Sequence, residues 1–248
     1  VPSGPVQVQA YPSRRITCRG TAAGTWREPA ATGRARRVRG SSVKVASVVG
    51  FPLGANVPEI KAMEARRAIR DGAREIDMVI HVSAIKSKHY ILVFEDIRQV
   101  VKACGDVPVK VIIETALLTD TEKVAACTLA KTAGARFIKT STGKEDGGAT
   151  VEDVRLMREV VGDEVLIKAS GGINSRTFAY ELIEAGADRI GTSNSVAIIT
   201  GAPVDDEYLW ELVASIPWSP DDAVADRSIE TRPPTNRGTA DRVVGSGH

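Results

Sequence analysis

The chain has 248 residues, of which 43% are apolar and 4% aromatic, and its formal net charge is +2. A chain of this length and apolar content can bury the core of one large domain, whereas so few aromatic residues weaken the case for base stacking on nucleic acids. No apolar run approaches the roughly 20 residues of a membrane span, and residues 1–20 lack the apolar core of a signal peptide, so we expect a cytoplasmic protein that contacts no membrane.

The positive charge lies at the N-terminal end of the chain. Residues 1–40 contain eight arginines, no lysine and one acidic residue, whereas the remainder carries more acidic than basic side chains. Arg, Ala and Gly without an apolar period are typical of a disordered or basic arm. We therefore predict an atypical Arg-rich segment at 1–40, disordered in part or whole, a folded domain at 41–216 and a disordered tail at 217–248.

Short apolar runs alternate with helical stretches along the folded domain. A first strand is possible within VQVQAYP at 6–12, and further strands are predicted at 43–51, 75–82, 107–115, 136–141, 164–170 and 188–193. Helices are predicted at 58–71, 90–103, 121–134, 151–161, 176–185 and 208–216. Nearly unbroken apolar strands separated by helices are typical of a parallel sheet covered on both faces.

Polar side chains lie at or just beyond the C-terminal ends of these strands, namely Asn56, Asp77, Glu114, Lys139, Lys168 and Ser193. A (β/α)₈ barrel gathers its strand ends in one mouth, where its active site lies. The sequence contains neither GxGxxG after the first strand nor a P-loop motif, which disfavours a nucleotide-binding doubly wound sheet. We therefore predict an α/β protein of the TIM (β/α)₈ barrel type, whose first two βα units are atypical or missing.

Lys139 and Lys168 are the strongest candidates for chemistry. They end neighbouring strands, each is followed by Ser or Thr and Gly, and two ammonium groups in one mouth disfavour each other's charge. A lysine with a lowered pKa is a nucleophile suited to Schiff-base formation with a carbonyl. Asp77 interrupts the apolar strand EIDMVI and can face Lys139, where a carboxylate would stabilise an iminium or relay protons. A structural ion pair is an equally good reading of Asp77 alone.

Glycine-rich segments follow the last two predicted strands and suggest an anion site. KASGGINS holds Gly171 and Gly172, and GTSNS holds Gly191, Thr192 and Ser193. Barrels commonly bind phosphate at this place through backbone N–H groups. The TGKEDGG segment adds Thr142 and Lys144, and the lysine would contribute charge.

The cysteines and histidines give no indication of a metal or disulfide framework. Cys18, Cys104 and Cys127 are odd in number and form no CxxC pair. His81, His89 and His248 lack the spacing of metal ligands, and His81 is predicted to be structural. We expect neither a metal nor a cofactor.

Several consecutive motifs resemble the deoxyribose-phosphate aldolase family. They include GFPLGAN, EIDMVI, VKVIIETALLT, FIKTSTG, GGATVEDVRLMR, IKASGGI and AGADRIGTS, in this order between about Val43 and Ile199. The resemblance implies a (β/α)₈ barrel that reversibly cleaves 2-deoxy-D-ribose 5-phosphate into D-glyceraldehyde 3-phosphate and acetaldehyde, an enzyme of carbohydrate degradation. Residues 1–40 bear no likeness to the first two strands of the family, which a shifted reading frame or a genuine replacement would explain.

The resemblance also implies roles for individual residues. Lys139 would form the Schiff base, Lys168 would lower the pKa of that amine, and Asp77 would take part in the proton relay. Phosphate contacts would come from Gly171, Gly172, Thr192 and Ser193, with Lys144 nearby. A small-molecule sugar phosphate and an aldehyde are then the expected partners, and a homodimer and a homotetramer both stay open.

Three alternatives compete with this aldolase hypothesis. The chain could be another lysine-dependent aldolase acting on a different sugar phosphate. It could be an inactive relative that only binds sugar phosphates. Nucleic-acid binding through the Arg-rich segment is the weakest alternative, and it predicts affinity that falls steeply with salt.

Overall fold

The computed structural model describes residues 7–10, 35, 38–40, 43–144 and 147–201 of the chain, with the backbone alone for 7–10. The predicted tail, the helix at 208–216, Cys18, His248 and most of the Arg-rich segment lie outside the described residues. Among the residues that are described, no helix is both long and apolar enough to cross a membrane.

The core of the fold is a seven-stranded sheet in which every neighbouring pair of strands is parallel. The strands are β1 (Gln7–Ala10), β2 (Ala46–Val49), β3 (Glu75–Val79), β4 (Val109–Ile112), β5 (Phe137–Lys139), β6 (Leu166–Ser170) and β7 (Arg189–Thr192). Their order is β1-β7-β6-β5-β4-β3-β2, so the chain adds neighbours in one direction from β2 to β7 and the first strand pairs with the last. This is the strand succession of a (β/α)₈ barrel.

The N-terminal part of the barrel is atypical, as predicted. β1 falls within the stretch predicted as a possible strand, and it pairs with β7 from Gln7 opposite Arg189 to Ala10 opposite Thr192. An eight-stranded barrel needs one more strand between β1 and β2. The described residues supply none there, and β2 pairs only with β3 among them.

Seven helices accompany the strands within the described part of the chain. They are α1 (Pro58–Arg70), α2 (Val82–Lys86), α3 (Tyr90–Cys104), α4 (Asp120–Thr132), α5 (Val151–Val161), α6 (Arg176–Glu184) and α7 (Ser195–Thr200), and a 3-10 turn covers Thr115–Leu117. The sequence predicted five of them and missed α2, α7 and the 3-10 turn, which are too short to show a helical period. Thr119 caps α4, in a capping box with Glu122.

The two faces of the sheet differ in chemistry. Ile76 and Met78 on β3 belong to the apolar core that packs against the helices. Glu75 and Asp77 alternate with them and therefore point to the opposite face, yet both are also buried. The sheet thus has an apolar face toward the helices and an inner face with buried charges, and the inner face holds the candidate site.

Candidate active site

Three predicted residues meet on the inner face of the sheet. Asp77 lies on β3, Lys139 is the last residue of β5, and Lys168 lies on β6 directly opposite Lys139 in the strand register. Lys139 and Lys168 donate to the same carboxylate oxygen, Asp77 Oδ2, over 3.1 and 2.9 Å. Asp77 and Lys168 are fully buried and Lys139 is 4% exposed, so these charges face one another without bulk water between them.

The sequence analysis missed Lys110, Glu75 and Arg189, which extend this cluster. Lys110 Nζ donates to Asp77 Oδ1 over 2.6 Å and forms an ion pair with Glu75 Oε2 at 2.7 Å. Glu75 Oε2 also accepts from Arg189 Nη1 over 2.8 Å. The signal was present, because Glu75 precedes Asp77 by two residues on one strand and Lys110 interrupts the apolar run VPVKVIIET.

Crowding of positive charge around one carboxylate controls the protonation of the cluster. Burial alone would raise the pKa of Asp77, but the ammonium groups of Lys139, Lys168 and Lys110 together hold that pKa well below its usual value. Burial lowers the pKa of Lys168 to about 7; the positive charges of Lys139 and Lys110 lower it as well, and Asp77 only partly offsets them. Near neutral pH the site therefore combines an ionised carboxylate with a lysine that exchanges its proton readily.

Gly191 makes room for the side chain of Lys168. A Cβ atom at position 191 would lie 2.9 Å from Lys168 Cε and 3.0 Å from Ser170 Cβ, closer than such atoms approach in proteins. Gly191, which is predicted to contact phosphate and lies opposite Ser170 in the strand register, thus also leaves space for the Lys168 side chain.

The turn after β6 has the backbone shape expected of an anion site. Gly171 and Gly172 both have positive φ values, +93° and +71°. Gly148 packs so closely against this turn that a Cβ there would lie 2.6 Å from the Gly171 carbonyl oxygen. Ala149 N donates to that same oxygen over 3.1 Å, so the segment 147–149 holds the turn in place.

Thr192 ties the last two loops of the sheet together. Its hydroxyl donates to the carbonyl of Ile173 over 2.7 Å and accepts from Asn194 N over 2.9 Å. Ser193 next to it is exposed. A hydrogen bond therefore joins the segments after β6 and β7 that are predicted to bind an anion. In this structure the Thr192 hydroxyl forms its hydrogen bonds with the backbone.

Glu114 anchors the segment that follows Lys139. Its buried carboxylate accepts from Thr142 N over 3.2 and 3.0 Å, and its own backbone is left-handed with φ of 55°. Lys144 N donates to the Thr142 hydroxyl over 3.2 Å, and Lys144 itself is exposed. In the described contacts neither Lys144 nor Ser193 reaches the Asp77 cluster, so the structure brings together the predicted catalytic residues but places these two at its surface.

The remaining candidates are structural. His81 precedes α2 and its Nδ1 accepts from Ala84 N over 3.4 Å, which confirms the structural assignment of this histidine. Cys104 and Cys127 are free and buried, and burial raises their thiol pKa values to about 11 and about 12. Such thiols are poor nucleophiles at neutral pH.

Comparison with known proteins agrees with the geometry of the site. The DeoC/LacD family aldolase model matches residues 21–201, so the match begins before Val43 and includes part of the segment at 1–40, in which the motifs showed no likeness to the family. Deoxyribose-phosphate aldolase of Thermococcus kodakarensis is 60% identical over 169 residues, which cover 67% of this chain and 75% of that protein.

Solved structures give the same result. A candidate deoxyribose-phosphate aldolase from Coccidioides immitis superposes with a TM-score of 0.67 and 40% identity, covering 69% of each chain. The tetrameric deoxyribose-phosphate aldolase of Aeropyrum pernix superposes with a TM-score of 0.61 and 34% identity, covering 68% of this chain and 71% of that one.

Proposed function

This chain belongs to the DeoC/LacD family of aldolases, and from that premise we propose that it reversibly cleaves 2-deoxy-D-ribose 5-phosphate to D-glyceraldehyde 3-phosphate and acetaldehyde. The observation that carries the proposal is the convergence of Lys139 and Lys168 on a single oxygen of Asp77 inside the sheet. This arrangement places two buried amines on one carboxylate oxygen, and the pKa of Lys168 among them is lowered to about 7, as an amine that accepts a proton near neutral pH requires.

Lys139 is the proposed Schiff-base residue. Lys168, whose pKa is lowered to about 7 by burial, is partly unprotonated near neutral pH and takes the proton from Lys139 across their shared carboxylate. The amine of Lys139 then adds to the aldehyde carbon C1 of the open-chain sugar, and loss of water leaves a protonated imine. The ionised Asp77 stabilises that positive charge.

The carbon–carbon bond breaks from this imine. Removal of the C3 hydroxyl proton turns C3 into the aldehyde of glyceraldehyde 3-phosphate, and the electrons of the C2–C3 bond pass to C2 and the imine to form an enamine. Protonation of C2 restores an imine, and water then releases acetaldehyde and free Lys139. We assign these proton transfers to Lys168, because a group with a pKa near 7 can both accept and return a proton, and Asp77 takes part in the relay by joining Lys168 to Lys139.

The phosphate of the sugar is proposed to bind at the turn after β6 and the loop after β7. The positive φ values of Gly171 and Gly172 present the turn's backbone without side-chain obstruction, and the proposed contacts beyond them are Gly191, Thr192, Ser193, Thr142 and Lys144. We give Gly191 and Thr192 a supporting part in this site, since one accommodates the stem of Lys168 and the other joins the two loops.

The chain acts on small molecules, and its assembly is an open part of the proposal. The Aeropyrum pernix relative is tetrameric by its description, and the present chain is proposed to form a homodimer or a homotetramer. A cytoplasmic location and independence from metals and cofactors likewise stay predictions.

Borohydride trapping tests the proposed reaction. Reduction of the imine formed with 2-deoxy-D-ribose 5-phosphate should leave a permanent mass increase on the Lys139 peptide, together with aldehyde release in an unreduced sample. A chain that traps no substrate-dependent adduct, or traps it on another lysine, would contradict the assignment. Adduct and turnover with a ketone donor but none with acetaldehyde would instead identify an aldolase for a different sugar phosphate.

A further inference from the structure

Lys110 joins two carboxylates on the inner face of the sheet. It lies on β4, is fully buried, and contacts Asp77 Oδ1 at 2.6 Å and Glu75 Oε2 at 2.7 Å. Asp77 therefore divides its oxygens: Oδ1 faces Lys110, and Oδ2 faces both Lys139 and Lys168. The roles assigned in the proposed function require no third lysine at this carboxylate.

We propose that Lys110 is a positioning residue. It orients Asp77 so that Oδ2 faces Lys139 and Lys168, and its positive charge weakens the attraction of the carboxylate for their ammonium groups. The amine of Lys168 can then lose its proton near neutral pH. The catalytic importance of Lys110 rests on the proposed function, whereas its effect on the protonation of Lys168 depends on the three lysines and Asp77 alone.

The charged side chains around Lys168 lie on four other strands of the sheet. Asp77 and Glu75 lie on β3, Lys110 on β4, Lys139 on β5 and Arg189 on β7 opposite Lys168. Among the described residues of this group, the cations outnumber the two carboxylates, and the pKa of Lys168 is lowered first by burial and further by Lys139 and Lys110. Removal of the Lys110 charge should therefore let Lys168 bind its proton more tightly.

Glu75 keeps Lys110 in place and tempers its charge. The same oxygen, Oε2, contacts both Lys110 and Arg189, and the ring of Phe137 lies beneath these two cations with centroid distances of 5.8 and 4.6 Å. Neutralising Glu75 should leave Lys110 and Arg189 less compensated, which would disfavour a proton on Lys168. The two substitutions should therefore act in opposite directions.

The fold should tolerate the substitution Lys110→Met. Glu75 keeps its ion pair with Arg189, and Asp77 keeps both Lys139 and Lys168, so neither carboxylate is left buried without a cation. Lys61→Met is the matched control, because Lys61 is an equally buried lysine whose partner, Asp96, belongs to a different site.

The test compares the pH dependence of adduct trapping and of kcat/KM in wild type, Lys110→Met, Glu75→Gln and Lys61→Met. Lys110→Met should move the acidic limb to higher pH by about one unit, so that activity falls roughly tenfold below the limb and recovers above it. Glu75→Gln should move the limb by a smaller amount to lower pH, and Lys61→Met should leave it in place. A uniform loss at all pH values, or shifts of both variants in one direction, would overturn the inference.

Titration of ¹³C-labelled lysine side chains by NMR separates this inference from the proposed function. It needs no substrate, so it decides on Lys110 even when wild type traps no adduct, an outcome that contradicts the proposed function alone. A Lys168 resonance that titrates at higher pH in Lys110→Met supports the positioning role. A resonance unmoved by the substitution would refute it.

Discussion

Two buried aspartates in this chain differ in the number of lysines that contact them. Asp96 on α3 pairs with Lys61 on α1, and Lys61 Nζ donates to Asp96 Oδ2 over 2.6 Å and to the Val79 carbonyl over 3.1 Å. Asp77 instead receives Lys110, Lys139 and Lys168. Among the described residues, Asp96 therefore has one lysine partner and Asp77 has three.

The proportion decides which form each group prefers. In the one-to-one pair, burial dominates: it raises the pKa of Asp96 and lowers that of Lys61 against their mutual attraction. At Asp77 the three cations overcome burial, so the pKa of that carboxyl falls, while Lys168 is pushed toward its neutral form. The same residue types therefore give a helix-to-helix clamp in one place and reactive amines in the other.

The largest difference should appear when each site loses one lysine. Lys139→Met removes the proposed nucleophile, and we expect kcat to fall by at least ~10³-fold with no trapped adduct. Lys61→Met should leave kcat near the wild-type value and act on stability alone. Steady-state kinetics of both variants, with circular dichroism to confirm folding, make the comparison. Comparable losses of kcat would remove the distinction between the two sites.

Replacing the carboxylates should sharpen the comparison through stability. Asp77→Asn leaves three buried ammonium groups without their shared counter-ion, so we expect a loss of about 3–5 kcal/mol in the free energy of unfolding. Asp96→Asn strands only one lysine, whose pKa burial already lowers, and should cost less. Urea unfolding at neutral pH measures both values, and a larger loss for Asp96→Asn would be inconsistent with the charge crowding described above.

Much of this arrangement could be predicted from the sequence, and the residues that the sequence analysis missed were missed for physical reasons. The alternation of apolar strands and helices predicted the parallel sheet, and the polar strand ends predicted Asp77, Lys139 and Lys168. Lys110 and Glu75 were missed because, unlike Lys139 and Lys168, they are followed by apolar residues and not by the Ser, Thr and Gly residues of a strand end. Only the pairing of strands shows that both point to the same interior.

The glycines illustrate the same limit. Gly191 was selected for its place after a strand, as a phosphate contact. Its closeness to Lys168 Cε depends on how two neighbouring strands pack, which no single segment specifies. Short helices such as α2 and α7 were missed for a related reason, since they have too few residues for a period and depend on tertiary contacts.

A smaller effect is expected from Gly191→Ala. The added Cβ would meet Lys168 Cε at 2.9 Å, and the flexible lysine can shift aside at a modest cost. Because this moves Nζ away from Asp77 Oδ2, we expect kcat to fall roughly 10-fold with little change in stability. Steady-state kinetics and thermal unfolding check this expectation. Wild-type kcat in Gly191→Ala would show that the position of Lys168 is not critical.

Stability should also depend on pH. The pKa of Lys168 is about 7 in the folded protein, whereas the ordinary lysine value of 10.5 applies to the unfolded chain. Between these two pH values the unfolded chain therefore binds more protons than the folded protein. Unfolding free energy should therefore rise with pH across that window and level off beyond each end. Lys168→Met should flatten this rise relative to wild type, whereas Lys86→Met, at an exposed lysine paired with Glu122, should not. Equal slopes in wild type and Lys168→Met would contradict the shift.

NMR titration of ¹³C-labelled lysines in the wild-type chain tests the crowding of amines at Asp77 most directly, with Lys168→Met used to assign the resonance. We predict one lysine that titrates near pH 7, well below the ordinary lysine value of 10.5, and that disappears from the spectrum of Lys168→Met. A Lys168 resonance that stays protonated up to about pH 10 would contradict the account, because burial and the neighbouring cations would then not lower the pKa of this lysine.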